Sequence, residues 1–567
     1  MLDDSQGGRS VSAARMEKQH GGDAHRRWLM LVLALAAVVL GTGSSISSAA
    51  TPACVVKDVG TKQSYGTLQE AVNAATEGDT LKVKGTCDGD TTITKSLTIA
   101  GQGHAILDGE NDEEHRGSVV YVAAYELLPG SDYETSYHDV IVAITGLTIT
   151  GGNGGPAAET IATDDGTRFG GGLLNDGGSV TLTNSKVSGN ALSGSGAKLG
   201  GGIFTYGYSG LKLIKTTVSG NTAPQGGGIA GTFGDATLTS STVSGNTGGG
   251  IYGGQGGDWA LTGSTVSDNH GSGITVVEGS VTLTDSKVSD NTTGGSGGGI
   301  GGAEASVRLT GSTVSDNTAG GEGGGITLNF GTTTLTNSTV SGNTATRGGG
   351  LASGADLILN GASSVSRNMA SEQGGGIYQD GGWSLTMNGS STVSRNTSAG
   401  TGGGIYNGEG FDGSGPVTLN ESASVSRNSS QGDGGGIFNE RSAHGWEAPG
   451  TLITLNGSSS VSQNTSSASG GGIYNQGESG EYERREGSLI MNEASSVSGN
   501  KAAEDGGGIF NSGTATLKGS SSVTKNKAGL LGGGIFNDDA EGATLSFSEW
   551  TGAVSDNKPD DVYEGGA

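Results

Sequence analysis

Two short motifs alternate fourteen times between residues 170 and 557: a glycine run ending in Ile or Leu, and a Val-Ser-x-Asn segment. The Ile or Leu stands at 173, 203, 229, 251, 274, 300, 326, 351, 377, 405, 437, 473, 509 and 535. The partner valine stands at 187, 218, 243, 266, 288, 314, 340, 365, 393, 425, 461, 497, 523 and 554. From Val365 onward each valine is followed 12 residues later by the next Ile, whereas the arm from Ile to Val varies from 14 to 24 residues. A constant arm is structural, and a variable arm is a loop. A Leu-Thr-Leu-Thr-like segment lies within the variable arm, so a period near 26 residues holds three short alternating segments. None of them can bury an apolar face alone, and stacking of units must supply the core. The expected fold is all-β: a right-handed single-stranded parallel β-helix of about 14 regular coils, preceded by irregular N-terminal coils and a short N-terminal capping helix. At roughly 4.8 Å per coil the regular part would make a rod of about 67 Å. Leucine-rich repeats fit worse because their Leu-x-x-Leu-x-Leu spacing is absent, and a propeller needs four strands per unit.

Composition narrows the class further. Glycine supplies 114 of 567 residues and proline 7, without a Gly-X-Y period, which excludes collagen. Periodic Ile, Leu and Val argue against disorder. A formal charge of −26 repels phosphate backbones and anionic lipid, so nucleic acid is excluded as a partner.

Residues 28 to 40 form an apolar run after Arg26 and Arg27, and a small-residue stretch ends at Ser48-Ala49-Ala50. This is the layout of a secretory signal with an extended n-region, cleaved after Ala50. A membrane anchor would need about 20 apolar residues, and a lipid anchor on Cys54 would follow the poor lipobox Thr51-Pro52-Ala53. His25 and Leu29 depart from a twin-arginine pattern, leaving the export route open. The mature chain is not expected to insert into a membrane. The expected division is 1–50 signal peptide, 51–169 cap and irregular first coils, and 170–567 regular repeats with a C-terminal cap. Cys54 and Cys87 are the two cysteines; export permits a disulfide that closes the first coil, with free buried thiols as the alternative. Thr67-Leu68-Gln69-Glu70 forms a capping box, and Leu68, Ala71, Val72 and Ala75 then share one helical face, suited to covering the end of a solenoid. Strands are expected at 80–83, 91–99, 119–122 and 140–150.

Within the repeat, Ile, Leu and Val are expected to point inward, and glycines to occupy corners where a side chain would clash. The closing asparagine, from Asn190 to Asn557, is expected to take the left-handed conformation and to hydrogen-bond its counterpart in the next coil. Asn396, Asn428 and Asn464 also complete Asn-x-Ser sequons, but the repeated corner explains them better than glycosylation does.

Strings such as Val497-Ser-Gly-Asn-Lys-Ala-Ala-Glu-Asp-Gly-Gly-Gly-Ile-Phe510 and Val340-Ser-Gly-Asn-Thr-Ala-Thr-Arg-Gly-Gly-Gly-Leu351 resemble the repeats of chlamydial polymorphic outer-membrane proteins. Those repeats pair Gly-Gly-Ala-Ile with Phe-x-x-Asn. The likeness covers residues 170 to 557, with valine in place of phenylalanine and a third glycine commonly in place of alanine. It implies the pectin-lyase-like right-handed parallel β-helix superfamily and an adhesin-like surface role. Members of that family carry a carboxy-terminal autotransporter barrel; no such region and no Leu-Pro-x-Thr-Gly signal is recognised here. The expectation is therefore a secreted, extracellular protein, or one associated with the cell surface by another route.

Carbohydrate-active enzymes share this fold, so an extracellular polysaccharide lyase or glycoside hydrolase is the alternative to a non-catalytic binding or structural role. A polygalacturonase-like set needs Asn-Thr-Asp, Asp-Asp, Gly-His-Gly and Arg-Ile-Lys on successive coils, and Asp164-Asp165 alone matches. A pectate-lyase-like site needs clustered carboxylates for calcium and an Arg or Lys base, and none assembles. The chemically varied stretch 102–168 holds His104, Asp108, His115, Arg116, Tyr133, His138, Asp164, Asp165 and Arg168, without a pair of diagnostic spacing. Gly253-Gly254-Gln255-Gly256-Gly257-Asp258 resembles half of a calcium-binding nonapeptide but lacks tandem copies. No catalytic residue, metal ligand or cofactor is assigned. The long arms 407–420, 439–452 and 475–488 hold His444, Trp446, Arg484 and Arg485, which suit solvated loops or a binding rim.

Solenoid stacking turns sequence register into spatial rows. The x of Val-Ser-x-Asn is aspartate at 268, 290 and 316 and arginine at Arg367, Arg395 and Arg427, predicting an acidic row and a basic row along one edge. Behind Gly-Gly-Gly-Ile stand Tyr378, Tyr406, Phe438, Tyr474, Phe510 and Phe536, expected to alternate outward and either to stack sugars or a protein partner, or simply to stiffen the sheet. The aromatic row and the three arginines are the binding candidates. The expected partner is a polysaccharide or a cell-surface protein, and the chain is expected to be a monomer.

Overall fold

The computed structural model describes residues 53–110, 117–127, 135–156, 168–192, 198–207, 209–379, 381–408, 415–440, 451–477, 487–539 and 542–565. They all fall in one compact unit, Thr51–Ala567. The signal segment, His115, Arg116, Tyr133, Asp164, Asp165, His444, Trp446, Arg484 and Arg485 lie outside the described residues.

Each regular coil reuses the same three strands. In one of them, Ile274–Val277, Ser280–Thr284 and Lys287–Ser289 follow in order. Each lies parallel to its equivalent one coil later, with Ile274 opposite Ile300, Leu283 opposite Leu309 and Val288 opposite Val314. Like residues therefore meet like residues, as the repeat demands. The isoleucine, leucine and valine columns are essentially without solvent exposure, while the threonines between them face outward or lie half-buried. Period-2 alternation and β-branched residues make these segments strands, and the identical neighbour above and below fixes their register.

Three strands per turn understates the coil. Behind the asparagine, a fourth two-residue strand such as Thr292–Thr293 joins a separate eight-stranded sheet that ends at Lys501–Ala502. Two residues leave no periodicity to read in the sequence.

The ladder crosses residue 169 without interruption, because Leu173 lies between Val120 and Ile203. Before it, strands Thr80–Asp88, Leu97–Asp108 and Ile141–Thr150 build the first coils in parallel register. The helix Leu68–Ala74 carries the full capping box, with Thr67 and Glu70 bonding reciprocally, and buries Leu68, Ala71 and Val72. It packs against the strands of the first coil. Cys54 and Cys87 form a disulfide there.

Two glycines of one run have separate reasons. Gly402 sits at φ +65°, a conformation that penalises any Cβ. A Cβ on Gly404 would lie 2.6 Å from the Gly436 carbonyl oxygen of the next coil and 2.8 Å from Asn428 Nδ2.

Candidate functional surface

The asparagine corner is the most regular polar feature. The backbone N–H of Asn428 donates to Asn464 Oδ1 at 2.9 Å, its Nδ2 donates to the same oxygen at 3.0 Å, and Nδ2 also donates to the Val393 carbonyl at 3.0 Å. The same side-chain link repeats from Asn190 through Asn557, which hands on to the Asp561 carboxylate. One expectation is corrected. The left-handed residue is the x before each asparagine, with φ between 56° and 69° in all fourteen units, and not the asparagine itself. The reversal at x throws its own side chain into solvent and turns the next side chain inward, where it must be to reach the ladder. Nine of the fourteen x residues are not glycine, each at a conformational cost of about 1–2 kcal/mol. Asn396, Asn428 and Asn464 are buried with their amides committed to the ladder, so their sequons are closed in the folded protein.

Two further asparagine ladders were missed. Asn407, Asn439, Asn475, Asn511 and Asn537 are linked in series at 2.8–2.9 Å. Asn360, Asn388, Asn420, Asn456 and Asn492 are linked in the opposite sense. The recurrence of Asn two residues after the isoleucine was legible as a signal. A hydroxyl ladder from Ser185 to Ser363 runs through the N-terminal half, each backbone N–H donating to the next hydroxyl. Ala423 interrupts that column, and the hydroxyls of Ser391, Ser459, Ser495 and Ser521 have no hydrogen-bond partner.

The aromatic row exists, but its ring faces are not offered to solvent. Tyr378, Tyr406, Phe438, Tyr474, Phe510 and Phe536 stack in sequence with centroids 4.6–5.4 Å apart and planes within 16°, and Tyr563 extends the stack at 5.5 Å. Four of the seven are less than a tenth exposed. The coil spacing is close to the separation of two stacked rings, so no gap wide enough for a sugar is left between them. The first ring is covered by Arg347, whose guanidinium lies 5.7 Å from the Tyr378 centroid. Glu322 and Glu372 hold that guanidinium at 3.4 and 2.8 Å, and the Glu372 bond raises its pKa. Tyr406 also hydrogen-bonds the Glu440 carboxylate.

The charged rows stand as expected. Asp268, Asp290 and Asp316, then Arg367, Arg395 and Arg427, are all exposed and in strict coil-to-coil register. Among the described residues none of the six forms an ion pair; Arg427 Nε donates to Gln463 Oε1 at 2.8 Å.

The irregular first coils scatter their chemistry. His104 sits in the bulge between the second and third stretches of its coil, Asp108 ends the third, His138 precedes the second and Arg168 leads into the first. These four therefore occupy different corners of the coil. Asp258 hydrogen-bonds Ser280 at its side chain, and no group of three His, Cys, Asp or Glu suited to a metal occurs among the described residues.

A closed stack of parallel coils with internal ladders defines the class: this is a right-handed parallel β-helix protein. Residues 171–345 match the right handed beta helix region, and residues 458–476 match the Chlamydia polymorphic membrane protein repeat. Among solved structures the chain is similar to the periplasmic alginate epimerase AlgG, at 11% identity over 67% of this chain and 84% of that one, with a TM-score of 0.36. No curated protein matches the sequence.

Proposed function

We propose that the protein is a secreted or cell-surface β-helix with an adhesin-like binding or structural role and no catalysis. The observation that carries this reading is the polymorphic membrane protein repeat at 458–476, within the run of like units. The allocation of side chains supports it. The asparagines, the aromatics and one column of hydroxyls of the repeat are spent on holding coils together, and His104, Asp108, His138 and Arg168 of the first coils share no corner. What remains for a partner is the exposed charged corner and the long arms. A polysaccharide or a cell-surface protein suits an elongated face of repeated small residues, whereas a nucleic acid is repelled by the charge of −26. No helix among the described residues is long and apolar enough to cross a membrane.

The reading is tested by protease treatment and antibody labelling of intact cells that produce the protein. Labelling and release without lysis are expected. Protection until the cells are lysed would contradict it.

A further inference from the structure

We propose that the asparagine corner is a self-complementary interface through which two copies of this chain pair antiparallel, with a two-fold axis at Gly342. This does not rest on the adhesive reading above, and it departs from the expected monomer. The x positions of seven consecutive coils are Asp268, Asp290, Asp316, Gly342, Arg367, Arg395 and Arg427, all exposed except the half-buried Gly342. Counted outward from Gly342, every aspartate on one side is matched by an arginine the same number of coils away on the other. The two coils beyond each end carry no charge at x: Gly245 and Gly220 before, Gln463 and Gly499 after. The charged stretch thus stops at the same distance on both sides.

An isologous contact requires that residue i meet j and j meet i. A two-fold axis through Gly342, perpendicular to the rod, sets Asp316 against the second copy's Arg367, Asp290 against its Arg395, and Asp268 against its Arg427. Symmetry repeats the three pairs, making six along a line of about 29 Å. Glycine at the centre leaves room for the Asp316 carboxylate, which occupies the place a Cβ there would take. The residues flanking the row are serines and threonines, His270 and Met369 excepted, so little stands between one corner and another. Within a single copy, like charges on adjacent coils are roughly 5 Å apart and repel. Pairing places the opposite sign in front of each. A polyanion would engage the arginine half and be repelled by the aspartate half, which leaves the mirrored arrangement without a reason.

The test is sedimentation velocity on the full mature chain and on two double variants of unchanged net charge. Asp268→Arg/Arg427→Asp keeps every antiparallel pair complementary, whereas Asp268→Arg/Arg395→Asp sets arginine against arginine and aspartate against aspartate. The wild type and the first variant are expected to dimerise, with association about tenfold weaker at roughly 0.5 M than at roughly 0.05 M salt; the second variant is expected to stay monomeric. All substitutions are at exposed positions, and an unchanged circular dichroism spectrum verifies folding. A monomeric wild type at low salt, or equal association of the two variants, would overturn the proposal.

Discussion

Asn428 presents two donors, its backbone N–H and its Nδ2, to the single side-chain oxygen of Asn464 one coil away. The arrangement is directional, and each asparagine accepts twice from the coil before and donates twice to the coil after. Removing one side chain therefore leaves groups of the coil before it unpaired, while the coil after keeps the backbone N–H bond. Asn428→Ala would strand the Asn396 N–H and the Val393 carbonyl, while Asn396 Nδ2 keeps its bond to the Val365 carbonyl, a loss of about 2–6 kcal/mol at 1–3 kcal/mol per buried group. Denaturant unfolding checks this.

The glycine run predicts a contrast between positions. Gly404→Ala places its Cβ against the Gly436 carbonyl, which cannot yield without moving the next coil, and about 1–3 kcal/mol or more should be lost. Gly220 has a φ of +64° but nothing within 4 Å of its added Cβ. Gly220→Asp should cost only about 1 kcal/mol, as at Asp268 where the chain already accepts it. Equal losses at the two sites would show that close approach is not what requires glycine.

For the aromatic row the stacked geometry favours the stiffening role over binding. Tyr406 is stacked on both faces by Tyr378 and Phe438, so Tyr406→Ser should cost about 3 kcal/mol and diminish the near-ultraviolet circular dichroism of the stack. Retention of any ligand by the folded variant should be unchanged. Selective loss of retention with stability intact would restore the row as a binding platform.

Burial raises the Asp433 pKa, opposed by the Ser469 N–H bond and reinforced by Glu504. A carboxylate with a raised folded pKa favours the fold when protonated. Its stabilising effect is present at low pH and is lost as pH rises through the folded value. Asp433→Asn, which can still accept from Ser469, should therefore raise the melting temperature at pH 7 and make little difference near pH 3.

Much of this was legible in the repeat. The columns at Ile405, Val425 and Leu419, the capping box at Thr67 and the ladder from Asn190 to Asn557 all follow from period and residue type, because in a solenoid register is set by identity with the neighbouring coil. Conformation at a corner was not legible: Asn428 was expected to be left-handed, whereas Arg427 is. Composition favours asparagine for that conformation, but the ladder requires its side chain inside, and this geometric demand decides. Which of the two roles open to the aromatics holds was not legible for a related reason. Alternation places Tyr406 on the outer face of its strand, yet only the coil spacing reveals that its neighbours occupy both ring faces. Residues 102–168 carry no repeat, so nothing in the sequence could say that His104, Asp108, His138 and Arg168 fall at different corners.

The coils are proposed to bind or brace and not to catalyse. This is tested by incubating the mature protein with a panel of neutral and acidic polysaccharides and scoring retention together with new reducing or unsaturated ends. Retention of at least one polymer, with no new ends after prolonged incubation, is the predicted result. Appearance of new ends that grows with time and with protein concentration would contradict it.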